Sequence, residues 1–183
     1  MPIKVLGADG YGDDNGISNG IIWATDNDAD VISMSLGGGG YASYTDSAVN
    51  YATENGTVVL SASGNDNAGT VSYPSAYANS ISVGALSPCN ERKSINSCDG
   101  ENYWGSNYGA GLDFLAPGVR INTITSSGGY TSIFNGTSSA CPHAAGVAGL
   151  IKSVGPGIGA EDIRLIMQLN SFDLGNPGFD TQT

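Results

Sequence analysis

Ser138, Cys141 and His143 lie close together in the block Gly136-Thr137-Ser138-Ser139-Ala140-Cys141-Pro142-His143, and these are side chains of the kind used in nucleophilic catalysis. A hydroxyl or thiol attacks an acyl carbon effectively when a base takes its proton and donors stabilise the oxyanion that forms. Part of that machinery is local. Gly136 makes a turn, and small apolar residues follow it, so Ser138 falls at the start of a helix whose first backbone N–H groups have no intrahelical acceptor and favour negative charge. Pro142 suits such a start, because a proline in the first turn gives up an N–H that is not needed. A serine at this point is also an ordinary N-cap. His143 is not its base: five residues along a helix separate the two by about 140° of rotation and about 7.5 Å of rise. Cys141 reads as a small apolar filler on the buried helix rather than as a nucleophile.

The elements that must position this block follow from periodicity. The helix, from about 138 to 154, has Ala144 to Ile151 apolar all round and no charge before Lys152, which assigns it to a core. Short Val/Ile-rich runs predict strands at 3–8, 30–36, 57–63 and 80–86, with later short strands near 112–115 and 119–125. Helical windows fall near 16–27, 44–54 and 159–169, and Gly56 stops the second of them. This alternation predicts an α/β fold with right-handed crossovers and a parallel sheet sandwiched between helix layers. Ligands of such sheets bind beyond the carboxyl ends of the strands, where Gly10, Gly37 and Asn65 fall.

Composition narrows the function. A chain of 183 residues that is 40% hydrophobic can bury a sizeable core, and no linker or repeat divides it. No apolar run approaches bilayer length, and no signal peptide follows Met1. The formal charge of -11 excludes nucleic acid as a partner, since phosphates would be repelled. Cys89 and Cys98 bracket a polar stretch that can fold back on itself. The two readings are a disulfide, which implies an oxidising compartment, and a pair of free thiols; the bridge is preferred.

Three other patterns carry little. Asp26-Asn27-Asp28-Ala29-Asp30 alternates carboxylates like a calcium loop, but Val31 stands where the turn glycine belongs and Gly37 where the closing glutamate belongs. Asn55-Gly56-Thr57 and Asn135-Gly136-Thr137 match a glycosylation sequon that arises often by chance. The glycines between Gly7 and Gly16 are wrongly spaced for a nucleotide, and Asp9, Asp13 and Asp14 would repel phosphate.

Gly-Thr-Ser-x-Ala-x-Pro-His resembles the nucleophile motif of the subtilisin-like serine proteases, and it differs from the Gly-x-Ser-x-Gly elbow of esterases because position 140 is Ala. Further landmarks follow the order of that family. Ile3 to Gly10 resembles the strand and loop before the first substrate-binding segment, and Val31 to Gly38 the second such segment. Val58 to Asn65 resembles the strand ending in the oxyanion asparagine, and Leu115-Ala116-Pro117-Gly118 another landmark. The resemblance implies a three-layer α/β/α sandwich and an endopeptidase acting on protein or peptide substrates through an acyl-enzyme on Ser138. Asn65 and the Ser138 N–H would be the oxyanion donors. Substrate would lie as an added strand between Gly10-Tyr11-Gly12 and Ser35-Leu36-Gly37. Ala62, Ser63, Gly64 and Ser72 would line the P1 pocket, and Leu6, Ile17 and Leu36 an outer apolar pocket, with Asp14 where the family often has an aromatic lid. Carbonyls at Ser75, Tyr77 and Ser80 with Asp113 match a structural site for Ca²⁺ or a monovalent cation; no catalytic cofactor is expected.

The triad of that family runs Asp, His, Ser, and its Asp and His motifs would precede Met1, while a Gly-x-Gly strand would follow Thr183. Residues 1–183 are therefore expected to be a partial catalytic domain, cut at both ends, of a secreted and monomeric protease whose partner is the remainder of the same domain. Alone, it should be inactive. The alternative is a non-catalytic peptide-binding pseudoprotease or an interaction fragment.

Overall fold

Valine-rich β2 (Val58–Ala62) and β3 (Ile81–Leu86) are almost wholly buried, as strands covered on both faces must be. The computed structural model describes residues 1–174. With β1 (Val31–Met34) and β4 (Phe114–Pro117) these strands form a parallel sheet of order β1-β2-β3-β4, in register at Val31 with Val58, Leu60 with Ile81 and Val83 with Phe114. Alternation along β2 builds the two cores. Val59 joins Ile21, Ala48 and Val49 beneath α1 (Asp14–Asp26) and α2 (Ser43–Glu54). Val58 and Leu60 join Ala140, Ala144, Ala148 and Ile163 beneath α3 (Thr137–Val154) and α4 (Ala160–Asn170). The result is the three-layer α/β arrangement. An antiparallel pair, β5 (Ile121–Ile124) and β6 (Tyr130–Phe134), runs directly into α3.

Local signals explain most boundaries. The Asp13 carboxylate caps α1 by accepting from Gly16 N at 2.7 Å. Gly56, at φ +84°, adopts the left-handed conformation that ends α2.

Four expectations are corrected. Residues 3–8 form no strand, because no strand among the described residues pairs with them; between this segment and the edge of β1, unpaired among the described residues, lies a cleft of about 720 Å³ lined by Val5, Ile21, Ile32 and Met34. The sequence predicts no strand at β6, since its side chains are mostly exposed and its pattern carries no buried face. Helix α3 is not buried all round: Ala140, Cys141, Ala144 and Ala148 face the sheet, while Leu150 is 69% and Val154 86% exposed. Pro142 is the sixth residue of α3 and so lies beyond its first turn. The segment 179–183, where the chain was expected to lead into a further strand, is outside the described residues. Among the described residues no helix is long and apolar enough to cross a membrane.

Candidate active site

Because β1 and β2 run parallel, their carboxyl ends deliver Ser35 and the pair Gly64-Asn65 to the same edge of the sheet, and α3 begins beside them. Gly136 sits at φ +116°, a conformation unfavourable to L side chains, and a Cβ there would stand 3.3 Å from Asn65 Oδ1. Thr137, fully buried, ties the two segments: its N–H donates to Asn65 Oδ1 at 2.8 Å, its Oγ1 donates to the same oxygen at 3.1 Å, and Gly64 N donates to Thr137 Oγ1 at 3.2 Å. With Oδ1 occupied twice, Asn65 has its amide donor left to offer.

Ser138 follows at the helix start. Its Oγ donates to Ser35 O at 3.3 Å, and Ser35 Oγ donates to the Ser138 carbonyl at 2.7 Å. That carbonyl is available because Pro142, four residues on, has no N–H to give it. Ser139 completes the anchorage, donating from Oγ to Gly136 O at 2.8 Å and Gly118 O at 3.1 Å.

Ser138 and Asn65 open on a cleft of about 800 Å³. Gly10, Tyr11 and Gly12, Ser35, Leu36 and Gly37, Ala62, Gly64 and Ser72, and Leu6, Ile17, Asp14 and Tyr77 all line the cleft. Ser63 is not in it. Alternation past β2 turns Ser63 inward, where its Oγ meets Asn107 O at 3.3 Å. Asn107, missed by the sequence reading, organises the Gly64 loop: its Oδ1 accepts from Asp66 N at 2.9 Å and Ala68 N at 3.1 Å, and its Nδ2 donates to Ser72 Oγ at 3.3 Å. Gly64 is at φ +110°, and a Cβ on it would fall on Asn107 Nδ2. Asn107 has no local signal, since it acts on residues far away in sequence, and Thr137, though inside the Gly-Thr-Ser motif, shows there nothing of its tie to Asn65.

His143 is exposed, and its Nδ1 lies 2.8 Å from the Ser139 carbonyl, to which it donates. Cys141 is a free, buried thiol beneath the sheet, and burial pushes its pKa up. A disulfide joins Cys89 and Cys98. At the far end of the sheet, Asp113 Oδ2 accepts from Ser82 N at 2.8 Å, and Oδ1 lies 3.9 Å from Arg164 Nε. The same guanidinium donates to Ser80 O at 2.7 Å and Ala78 O at 3.0 Å, while Tyr77 O accepts from Ser80 N at 3.0 Å. Ser75 directs its Oγ to Ser82 Oγ at 2.6 Å. Burial pushes the Asp113 carboxyl above the usual range, opposed by Arg164.

A sequence model of the subtilase family, Peptidase_S8, matches residues 1–183. Alkaline elastase YaB of Bacillus sp. (strain YaB) is 42% identical over 174 residues, covering 95% of this chain and 43% of the relative. Subtilisin Savinase of Lederbergia lenta is 41% identical over 174 residues, covering 95% of this chain and 61% of the relative. The chain thus spans about half the length of the curated relatives it matches. Among solved structures, a protease from Pseudoalteromonas arctica PAMC 21717 superposes with a TM-score of 0.83 at 34% identity, covering 94% of this chain and 56% of that one. A cold adapted subtilisin-like serine proteinase gives a TM-score of 0.79 at 32% identity, covering 91% and 57%. With the family model spanning every residue and the same fold in these neighbours, the chain belongs to the subtilase family.

Proposed function

We propose that this chain carries the nucleophile and oxyanion half of a serine endopeptidase, with Ser138 attacking the scissile carbonyl and Asn65 and the Ser138 N–H donating to the oxyanion. The observation that carries the reading is the convergence of Ser138 and Asn65 on one cleft, with Asn65 Oδ1 bound by Thr137 so that its amide donor remains free for a ligand. The sole histidine, His143, is turned to the Ser139 carbonyl, so the general base and its aspartate come from chain outside these 183 residues. The unpaired edge of β1 and its adjoining cleft offer that segment a place to dock as a strand. Substrate lies between the Gly10–Gly12 and Ser35–Gly37 walls as an added strand. Ala62, Gly64 and Ser72 offer the P1 side chain room and no countercharge, which favours medium or large uncharged residues; a cleavage profile dominated by Arg or Lys at P1 contradicts this.

At Asp113 the positive charge is Arg164's own. With its guanidinium on Ser80 O and beside Asp113, the anticipated set of Ser75, Tyr77, Ser80 and Asp113 does not fit a metal ion, and no step is drawn through one. The Cys89–Cys98 disulfide supports an oxidising, extracellular setting.

The test is labelling with a fluorophosphonate. The 183-residue chain should not react, because a serine without a base is a weak nucleophile. Restoring the upstream segment should switch on labelling at Ser138, and Ser138→Ala should abolish it. A restored chain that binds peptides but never acylates moves the assignment to a non-catalytic peptide-binding module.

A further inference from the structure

The side chain of Asn135, the residue before the Gly136 turn, is held at both ends by groups distant in sequence. Its Nδ2 donates to Glu101 Oε2 at 2.7 Å, and its Oδ1 accepts from Arg120 N at 2.6 Å. The Glu101 carboxylate is itself fixed, accepting from Trp104 Nε1 at 2.9 Å and from Arg120 Nε at 3.2 Å. These donors hold its pKa below the usual carboxylate range, the hydrogen bond from Trp104 contributing most.

The backbone that delivers Glu101 is constrained to match. Lys93 and Asp99 form an ion pair at 3.3 Å with both side chains fully buried, and Lys93 Nζ also donates to Glu101 O at 2.6 Å. Glu101 N donates to Asp99 Oδ1 at 2.8 Å, and Arg120 Nη2 donates to Asp99 O at 3.0 Å. The Cys89–Cys98 disulfide closes the loop immediately before Asp99. Burying a lysine and an aspartate together is poor value as stabilisation and is better suited to fixing geometry.

We propose that Glu101 is a positioning residue: presented by the disulfide-closed loop, its carboxylate holds Asn135 and thereby fixes the Gly136-Thr137-Ser138 turn. The proposal rests on the reading of Ser138 as nucleophile. Gly136 is the joint on which this acts: a glycine permits the conformation that Ser138 requires without restricting the chain to it. Thr137 and Ser139 hold the turn on its helix side and Gly136 N donates to Gly118 O at 2.9 Å, while Asn135 adds the side-chain restraint on the segment that enters it. The engaged Nδ2 also leaves Asn135 unsuited to carry a glycan despite its sequon.

The experiment compares Glu101→Gln with Glu101→Ala in the whole protease on a peptide anilide, at a temperature where both are folded. Glutamine can keep a carbonyl oxygen on Trp104 and Asn135, the contacts that matter here, while its NH2, a donor like Arg120 Nε–H, gives up the bond to the partly exposed Arg120, so it should largely rescue function, keeping kcat within about threefold of the parent. Alanine should lower kcat about tenfold with KM within about twofold, because a slightly misplaced nucleophile loses rate rather than binding. Unchanged kcat in Glu101→Ala, or a change confined to KM, overturns the proposal.

Should Glu101→Ala fail to fold, a pH titration of the unsubstituted chain by NMR decides. The sequence has only two tryptophans. The Trp104 indole N–H, the Asn135 amide and the Thr137 and Ser138 backbone amides should shift with one common midpoint below about 4.3, the ordinary glutamate value. Movement of the indole alone overturns the coupling. Absence of fluorophosphonate labelling in the parent protease would instead remove the nucleophile reading, and the titration distinguishes the two failures.

Discussion

Ser35 Oγ donates to the carbonyl oxygen of Ser138 at 2.7 Å, in the place of the helical hydrogen bond that Pro142 is unable to make. Proline inside a helix ordinarily leaves the carbonyl four residues earlier without a partner. Here the wall of the cleft supplies one, so the strand edge and the nucleophile turn are joined through the proline's missing donor.

Ser35→Ala should therefore lower stability by about 1 kcal/mol, the usual cost of a lost hydrogen bond. Pro142→Ala restores an N–H opposite Ser138 O, so in the double variant part of that loss should return. Urea midpoints across the four-member cycle measure the coupling; strict additivity would show that the two groups do not share the carbonyl.

Asn65→Leu in the whole protease should lower kcat by about 10²- to 10³-fold with KM nearly unchanged, a magnitude taken from the corresponding donor in subtilisin rather than derived from this geometry. Steady-state kinetics on a peptide anilide check it. A change of KM alone would assign Asn65 to ground-state binding.

Asp113 has a folded-state pKa raised by burial, with Arg164 opposing the shift. A raised carboxylate pKa means that the folded state holds its proton more tightly than the unfolded chain does. Its contribution to stability is fully present below the ordinary aspartate value of about 3.9 and is lost as pH rises through the folded pKa. Asp113→Asn should remove that segment from a plot of urea midpoint against pH. Arg164→Met, which strips the partly exposed countercharge, should push the Asp113 pKa higher and extend the loss to higher pH; an identical profile in both variants and parent would show that the pair is not coupled.

The Cys89–Cys98 link closes a short loop, so a Cys89→Ala, Cys98→Ala variant should lose roughly 2 to 3 kcal/mol by the chain-entropy relation. Cys141 is buried with its pKa raised, and should resist alkylation in the native state and react once denatured. Mass spectrometry after non-reducing digestion reads both. Pairing of Cys141 with either loop cysteine would contradict the assignment.

Local patterns determined much of this molecule. Apolar runs placed β1 through β4, most clearly β2 and β3, which are buried on both faces and so must be largely apolar wherever they sit, and Gly136 followed by small residues located the start of α3 and with it Ser138. Tertiary structure decided the rest, for reasons of partnership. Residues 3–8 have the composition of a strand, but a ladder requires a neighbour, and β1 leaves that edge unpaired. The outer side of α3 is as apolar as its inner side, and only the sheet determines which side is buried. Ser63 turned inward while Gly64 stayed in the cleft because the pleat alternates, a phase set by the pairing of β2. The bonds that hold the site join residues 103 positions apart at Ser35 and Ser138, 72 apart at Asn65 and Thr137, and 34 apart at Glu101 and Asn135. Periodicity describes which face a residue presents along its own element; it contains no term for the residue that will meet it from another.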